Sequence, residues 1–234
     1  MSMKVNTLSE IRTILRNSQQ KQKQRNISMM NLDFNIIASG SSGNAVRIGS
    51  IMIDCGLPFK KMREDLYKVD TLLITHAHSD HIKEATYESI RSEFPRIHTY
   101  ANADVAYRYP VDTVIGSRKF VIPKKRIIRP YDGKHDVPVT YFIITMDGLN
   151  ILYATDTYYI ANPEEIPIDY CFLEANYDER KLKELRKQYA SRHYDPIESS
   201  LRHLSVQKAK EFYYVNRRCE ESEFIELHKS SRFY

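Results

Sequence analysis

Cysteine is scarce in this chain. Cys55, Cys171 and Cys219 are the only three, and no two stand in a Cys-x-x-Cys pair. An odd, scattered set argues against a disulfide framework and against a thiolate zinc site, and suits neutral thiols in a reducing compartment. Cys55, next to Asp54, has a second reading as a residue lining a site. Long apolar runs are lacking too: no segment approaches the roughly 18 residues that a membrane span needs. The N-terminus has no apolar core of the kind that marks a secretion signal. The expectation is a soluble, cytoplasmic protein with no membrane contact. No internal repeat is visible.

What remains is a chain of 234 residues, 42% hydrophobic and 28% charged, enough for one domain with a substantial core. The formal charge of +5 is unevenly spread. Residues 1–30 carry Lys4, Arg12, Arg16, Lys21, Lys23 and Arg25 against Glu10 alone. Residues 118–134 carry Arg118, Lys119, Lys124, Lys125, Arg126, Arg129 and Lys134 against Asp132. Such blocks are either solvated faces or contacts for a polyanion.

Residues 1–30 are read as a basic extension. Thr7 and Glu10 form a capping box ahead of Leu8, Ile11, Ile14 and Leu15 at helical spacing. A Gln- and Lys-rich stretch without core formers follows. Met29 and Met30 offer an internal translation start. The folded domain is expected over 31–234. Strands are expected over 32–39, 45–48, 51–54, 71–75, 97–100, 120–122, 126–128, 140–146, 150–153, 170–173 and 224–227. Helices are expected over 58–69, 82–94, 103–109, 178–189 and 206–216. Strands in runs with interleaved helices suit an α/β (α+β) sandwich of two sheets flanked by helices.

The chemistry concentrates in Thr75-His76-Ala77-His78-Ser79-Asp80-His81. On an extended chain His76 and His78 point the same way. A turn then lets Asp80 and His81 face a second ion, and paired cations about 3.5–4 Å apart need such flanking ligands. A polar loop with three chance histidines is the competing reading. The position directly after Leu72-Leu73-Ile74 weighs against it. His98 and His193 read as structural or surface groups.

This run resembles the signature of the metallo-β-lactamase superfamily, and the chain is most similar to its WalJ-like (YycJ-like) nuclease branch, more distantly to ribonuclease Z. The resemblance runs from about Phe34 to the C-terminus and implies an αββα sandwich of two mixed sheets. Ala38-Ser39-Gly40-Ser41-Ser42-Gly43-Asn44 resembles the opening strand and glycine loop. The resemblance gives Asp54 the task of orienting a ligand histidine. It makes His135 the third histidine of the first ion and Asp156 the carboxylate between both. Asp80, His81 and a late histidine would hold the second ion. His228, in Leu227-His228-Lys229-Ser230-Ser231-Arg232, resembles that terminal ligand, whereas His203 with Glu174 resembles a proton relay facing substrate.

The function so implied is a dinuclear-metal phosphodiester hydrolase using a metal-activated hydroxide, with a nucleic acid or nucleotide substrate and a nuclease as the first reading. Asp80, His203 and Glu174 are the candidate catalytic residues. Zinc leads as the metal, with manganese and iron as alternatives. A cyclic-nucleotide phosphodiesterase comes second, a lactonase-type hydrolase third and a metal-free nucleic-acid-binding module last. A homodimer stays open. Residues 118–134 would help to hold a phosphate backbone, and some of the 17 tyrosines offer stacking surfaces. The chain departs from the family pattern at Tyr158, where a glycine is common, at Tyr177, where a histidine is frequent, and in having no Gly/Pro-rich arm.

Overall fold

The computed structural model describes residues 31–189, 200–230 and 234. The extension expected over 1–30, the start at Met29 or Met30, and His193 lie outside the described residues. The fold is that of Asp33–Tyr234, the second of two units into which the chain divides.

Two six-stranded sheets form its middle. The first has the order β1 (Phe34–Ala38), β2 (Ala45–Ile48), β3 (Ile51–Ile53), β4 (Thr71–Ile74), β5 (His98–Ala101), β6 (Thr113–Val114). It begins as an antiparallel meander and turns parallel from β3 onward. The second contains β7 (Phe120–Ile122), β8 (Arg126–Asp132), β9 (Thr140–Met146), β10 (Leu149–Ala154), β11 (Tyr170–Glu174) and β12 (Glu223–Leu227). Here β7 to β10 are antiparallel, and β10, β11 and β12 run parallel. Helices α1 (Phe59–Leu66), α2 (Glu84–Glu93) and α3 (Ala103–Arg108) connect strands of the first sheet, and α4 (Glu179–Tyr189) and α5 (Val206–Asn216) join β11 to β12.

Alternation along the strands sorts the layers. In β9, Tyr141 and Ile143 join Leu152, Leu173, Ala209 and Tyr213 in the apolar layer that includes α5. Phe142 and Ile144 point to the other face and are fully buried. On the first sheet, Met52, Leu72 and Ile74 pack with Met62 and Leu66 of α1 and Tyr87 and Ile90 of α2. Between the sheets the Phe34 and Phe172 rings meet edge to face, 4.9 Å apart. Strands covered on both sides, such as β2, β4 and β11, are buried along their whole length and are mostly apolar.

Three points differ from expectation. The strand expected to end at Ile128 continues to Asp132, through Pro130. Pro130 faces Phe142 of β9 on one side, and β7 pairs only with Arg126–Ile128, so on the β7 side no strand lies opposite residue 130. The two-residue β6 was not foreseen, being too short to show a period. Cys55 does not line a site: it is fully buried in the α1/α2 apolar layer, and burial pushes its thiol pKa up.

Candidate metal centre

Six strands of two sheets deliver their C-terminal ends to one edge of the sandwich. Beyond β3 stands Asp54, beyond β4 the 75–81 run, beyond β8 His135, and beyond β10 Asp156. Glu174 ends β11 and His228 follows β12. Open α/β sheets place ligands at such strand ends. Three of these residues leave their strands in the left-handed region: Asp54 (φ 62°), Asp156 (φ 53°) and His228 (φ 51°). Non-glycine residues pay for that conformation, and such costs cluster at functional sites.

Every candidate site residue of the sequence comes together here. Potential ligand atoms of His76, His78 and His135 lie within 4.8 Å of one another, as do those of Asp80, His81 and His228, and those of His76, His81 and Asp156. His76 Nε2 faces His78 Nδ1 at 3.1 Å. His81 Nε2 lies 2.8 Å from Asp156 Oδ2 and 3.7 Å from Asp80 Oδ2. His228 Nε2 lies 3.4 Å from Asp156 Oδ1. His203 does not join the Asp80–His81 group; its Nδ1 sits 2.6 Å from Glu174 Oε1.

The supporting contacts set ring orientation. Asp54, fully buried, accepts from His81 Nδ1 at 2.7 Å, from Thr75 N at 2.8 Å and from Thr75 Oγ1 at 2.9 Å. With Nδ1 occupied, Nε2 of His81 turns towards the centre. Glu174, also fully buried, holds His203 and lies 3.2 Å from His228 Nδ1. Its Oε2 also accepts from Thr157 N at 3.1 Å.

The electrostatics separate the histidines. Burial, reinforced by the charge on His81, drives the His76 pKa far down, and burial lowers that of His135. Both present neutral rings with free lone pairs, the form that binds metal. Burial acts the same way on His81, but the Asp54 and Asp156 carboxylates outweigh it and raise its pKa. Burial likewise opposes the ionisation of Asp156, yet the His81 and His228 charges hold its pKa well below the carboxylate range.

Does this set suit divalent cations? Among the described residues, His135 Nδ1 and His228 Nε2 are buried with no hydrogen-bond partner. Buried polar atoms are rarely left so. Unpartnered imidazole nitrogens around the buried Asp156 carboxylate fit a cation pair.

Several contributors were not foreseen. Asn44 is fully buried. Its Oδ1 accepts from Gly40 N at 2.8 Å, and its Nδ2 reaches Asp80 O at 3.2 Å and His81 Nε2 at 2.9 Å, tying the glycine loop to the histidine run. Asn176 Nδ2 donates to His228 O at 2.8 Å and lies 3.2 Å from its Nδ1. Asp136 Oδ1 lies 3.0 Å from His135 Nε2 and 3.6 Å from His78 Nε2. Position beside a quoted motif was their only signal. Gly56 also matters: a Cβ there would stand 1.7 Å from Asp80 O, so only glycine lets the two loops approach.

The basic stretch 118–134 corrects another expectation, because it does not act as one block. Arg126, buried, binds Ser50 Oγ at 2.7 Å and Asp70 Oδ1 at 2.7 Å, and Lys124 pairs with Asp70 at 3.0 Å. Ser50 and Asp70 precede β3 and β4, so these cations sit at the edge opposite the histidines. Arg129 is tied to Glu164 and Thr145. Lys134, past the end of β8, stands at the site edge, where its backbone N donates to Thr157 Oγ1. His98 fits its reading as a surface group: it is exposed at the start of β5, against Thr113 Oγ1 at 2.8 Å.

Two packed mixed sheets, helices outside and a histidine–carboxylate cluster at the strand ends define the metallo-β-lactamase fold. Residues 50–215 match the beta-lactamase superfamily domain, and the chain belongs to that superfamily. It is similar to exodeoxyribonuclease YycJ of Bacillus anthracis, 25% identical over 57% of this chain and 57% of that protein. Exodeoxyribonuclease WalJ of Streptococcus pneumoniae serotype 2 (strain D39) is 27% identical over 79% of this chain and 77% of its own length. Thus the alignment spans little more than half of YycJ. A crystal structure of a diphosphatase from the PhnP family shares the fold at a TM-score of 0.62, with 16% identity over 87% of this chain and 88% of the other. Among the described residues no helix is long and apolar enough to cross a membrane.

Proposed function

We propose that this chain is a divalent-metal-dependent phosphodiester hydrolase, a nuclease, with DNA as the first substrate to test. The carrying observation is the conjunction of two ligand groups, His76/His78/His135 and Asp80/His81/His228, with Asp156 against His81 and His228, and a Glu174–His203 pair that adjoins the same Asp156 and His228. The names of YycJ and WalJ support DNA as substrate.

In this reading His76, His78 and His135 would hold one ion, Asp80, His81 and His228 would hold the other, and the Asp156 carboxylate would serve both. Zinc suits the histidine-rich set best, and manganese or iron tolerates the carboxylates. When bound, the pair lowers the pKa of a water and polarises the phosphate. Asp54 and Asn176 orient the His81 and His228 rings. Asp80, partly open to solvent, accepts a hydrogen bond that aims the attacking water. Glu174 fixes His203 through Nδ1, which leaves Nε2 to donate a proton to the leaving oxygen. Burial works against protonation of His203, but the hydrogen bond and charge of Glu174 prevail and raise its pKa, which suits an acid.

The test is a substrate panel with the full chain and added Zn²⁺ or Mn²⁺: single- and double-stranded oligonucleotides, cyclic mononucleotides, bis-p-nitrophenyl phosphate and a lactone. Metal-dependent oligonucleotide cleavage, lost in Asp80→Ala, is expected. Preference for cyclic mononucleotides would move the substrate to small nucleotides. Lactone hydrolysis without any phosphodiester cleavage would contradict the proposal.

A further inference from the structure

The bridging carboxylate and the relay histidine are each followed directly by a wall of one pocket. Asp156-Thr157 leads into Tyr158, Tyr159 and Ile160, and His203 leads into Leu204; with Lys208, Glu211, Phe212, Val215 and Asn216 these line a cavity of about 400 Å³. The Glu174 carboxylate ties both walls to the centre, accepting from Thr157 N at 3.1 Å and from Leu204 N at 3.4 Å. Its floor is one face of α5, since 208, 211, 212 and 215 recur at helical spacing. Val206, Ala209 and Tyr213, on the opposite face, fill the apolar core.

The walls leave aromatic and apolar surface open to solvent. Tyr158 and Tyr159 are 46% and 51% exposed, and Val215 is 78% exposed. The Lys134 ammonium stands 5.2 Å from the centre of the Tyr159 ring. Large aromatic faces left open beside a cation and a phosphate-cleaving centre suit a planar ring on a negatively charged backbone.

We propose that this pocket is a nucleobase subsite: it takes the base of the nucleotide next to the scissile phosphate, stacked on Tyr158 and Tyr159, while Lys134 meets the adjoining phosphate. Glu211 and Lys208 offer an acceptor and a donor to the base edge. The volume lies in the range that holds a nucleoside-sized ligand, and stacking on tyrosine tolerates any base. The proposal rests on the hydrolase reading above and extends it to how the substrate is gripped.

Two measurements separate the pocket from that reading. The first compares p-nitrophenyl thymidine 5′-phosphate with methyl p-nitrophenyl phosphate, which share a leaving group and differ in the nucleoside. The ratio of their kcat/KM values should fall roughly tenfold in Tyr158→Ala and in Tyr159→Ala, carried by KM. Tyr→Phe at either position should restore it, and Tyr107→Ala, on exposed α3, should leave it at the wild-type value. A ratio unmoved in both alanine variants overturns the proposal. The second measures binding of thymidylyl dinucleotide to the metal-loaded protein by saturation-transfer NMR. Binding weakened by Tyr159→Ala supports the subsite even if nothing is cleaved, in which case the hydrolase reading alone fails. A dimer that Tyr159→Ala dissociates, with dinucleotide binding unaffected, would make this face a subunit contact and overturn it.

Discussion

Glu174 Oε1 lies 2.6 Å from His203 Nδ1, a fully buried carboxylate beneath an imidazole whose side chain keeps 18% of its surface open. One ring nitrogen is therefore fixed and the other is free to meet substrate. His203→Ala should lower kcat roughly 100- to 10 000-fold, the range for loss of a general acid, while both ions stay bound. Metal analysis beside kinetics checks this. Loss of one ion in His203→Ala would exchange the roles given to His203 and His228.

Asp54 meets His81 Nδ1 at 2.7 Å. Asp54→Asn keeps the side-chain volume but weakens the hold on Nδ1, and about 10- to 100-fold weaker metal affinity is expected. A chelator competition titration measures it. Affinity equal to wild type would show that the three contacts to Asp54 serve folding alone.

Gly56 is a steric requirement. Gly56→Ala sets a Cβ against the Asp80 carbonyl, and relieving that clash must displace the Asp80–His81 turn. The expected outcome is a loss of about 1–3 kcal/mol of stability, read as a lower Tm, together with impaired metal binding. Unchanged Tm and metal content would mean that the loops separate freely.

Arg126 tests the division of the basic stretch. It joins the sheets through Ser50 and Asp70 at the edge away from the histidines. Arg126→Met should cost on the order of 3 kcal/mol, since it strips a buried cation from its partners, and should leave KM for oligonucleotides unaltered. A raised KM at constant stability would place substrate on that edge.

Much of this was legible in the chain. The His-x-His-x-Asp-His run is local, so its candidate ligands stand side by side, and the apolar strands preceding Asp54, His76 and Asp156 announce where each side chain emerges. The distant residues His135, His228, Glu174 and His203 were reached through family resemblance, because spacing alone does not say which strand ends share an edge. Asn44 and Asn176 stayed silent: an asparagine that braces a loop across 36 or 52 residues has no local pattern. The lysines and arginines of 118–134 misled for a geometric reason. The seven-residue strand β8 spans about 20 Å, so neighbours in sequence end at opposite edges of the sandwich.

The most direct test is the location of the metals. Anomalous scattering at the zinc edge from crystals grown with Zn²⁺ should show two ions per chain, one about 2.0–2.1 Å from nitrogens of His76, His78 and His135, the other similarly close to His81 and His228, with Asp156 oxygen near both. A single ion, ions bound elsewhere, or His203 in place of His228 would contradict the paired centre described here.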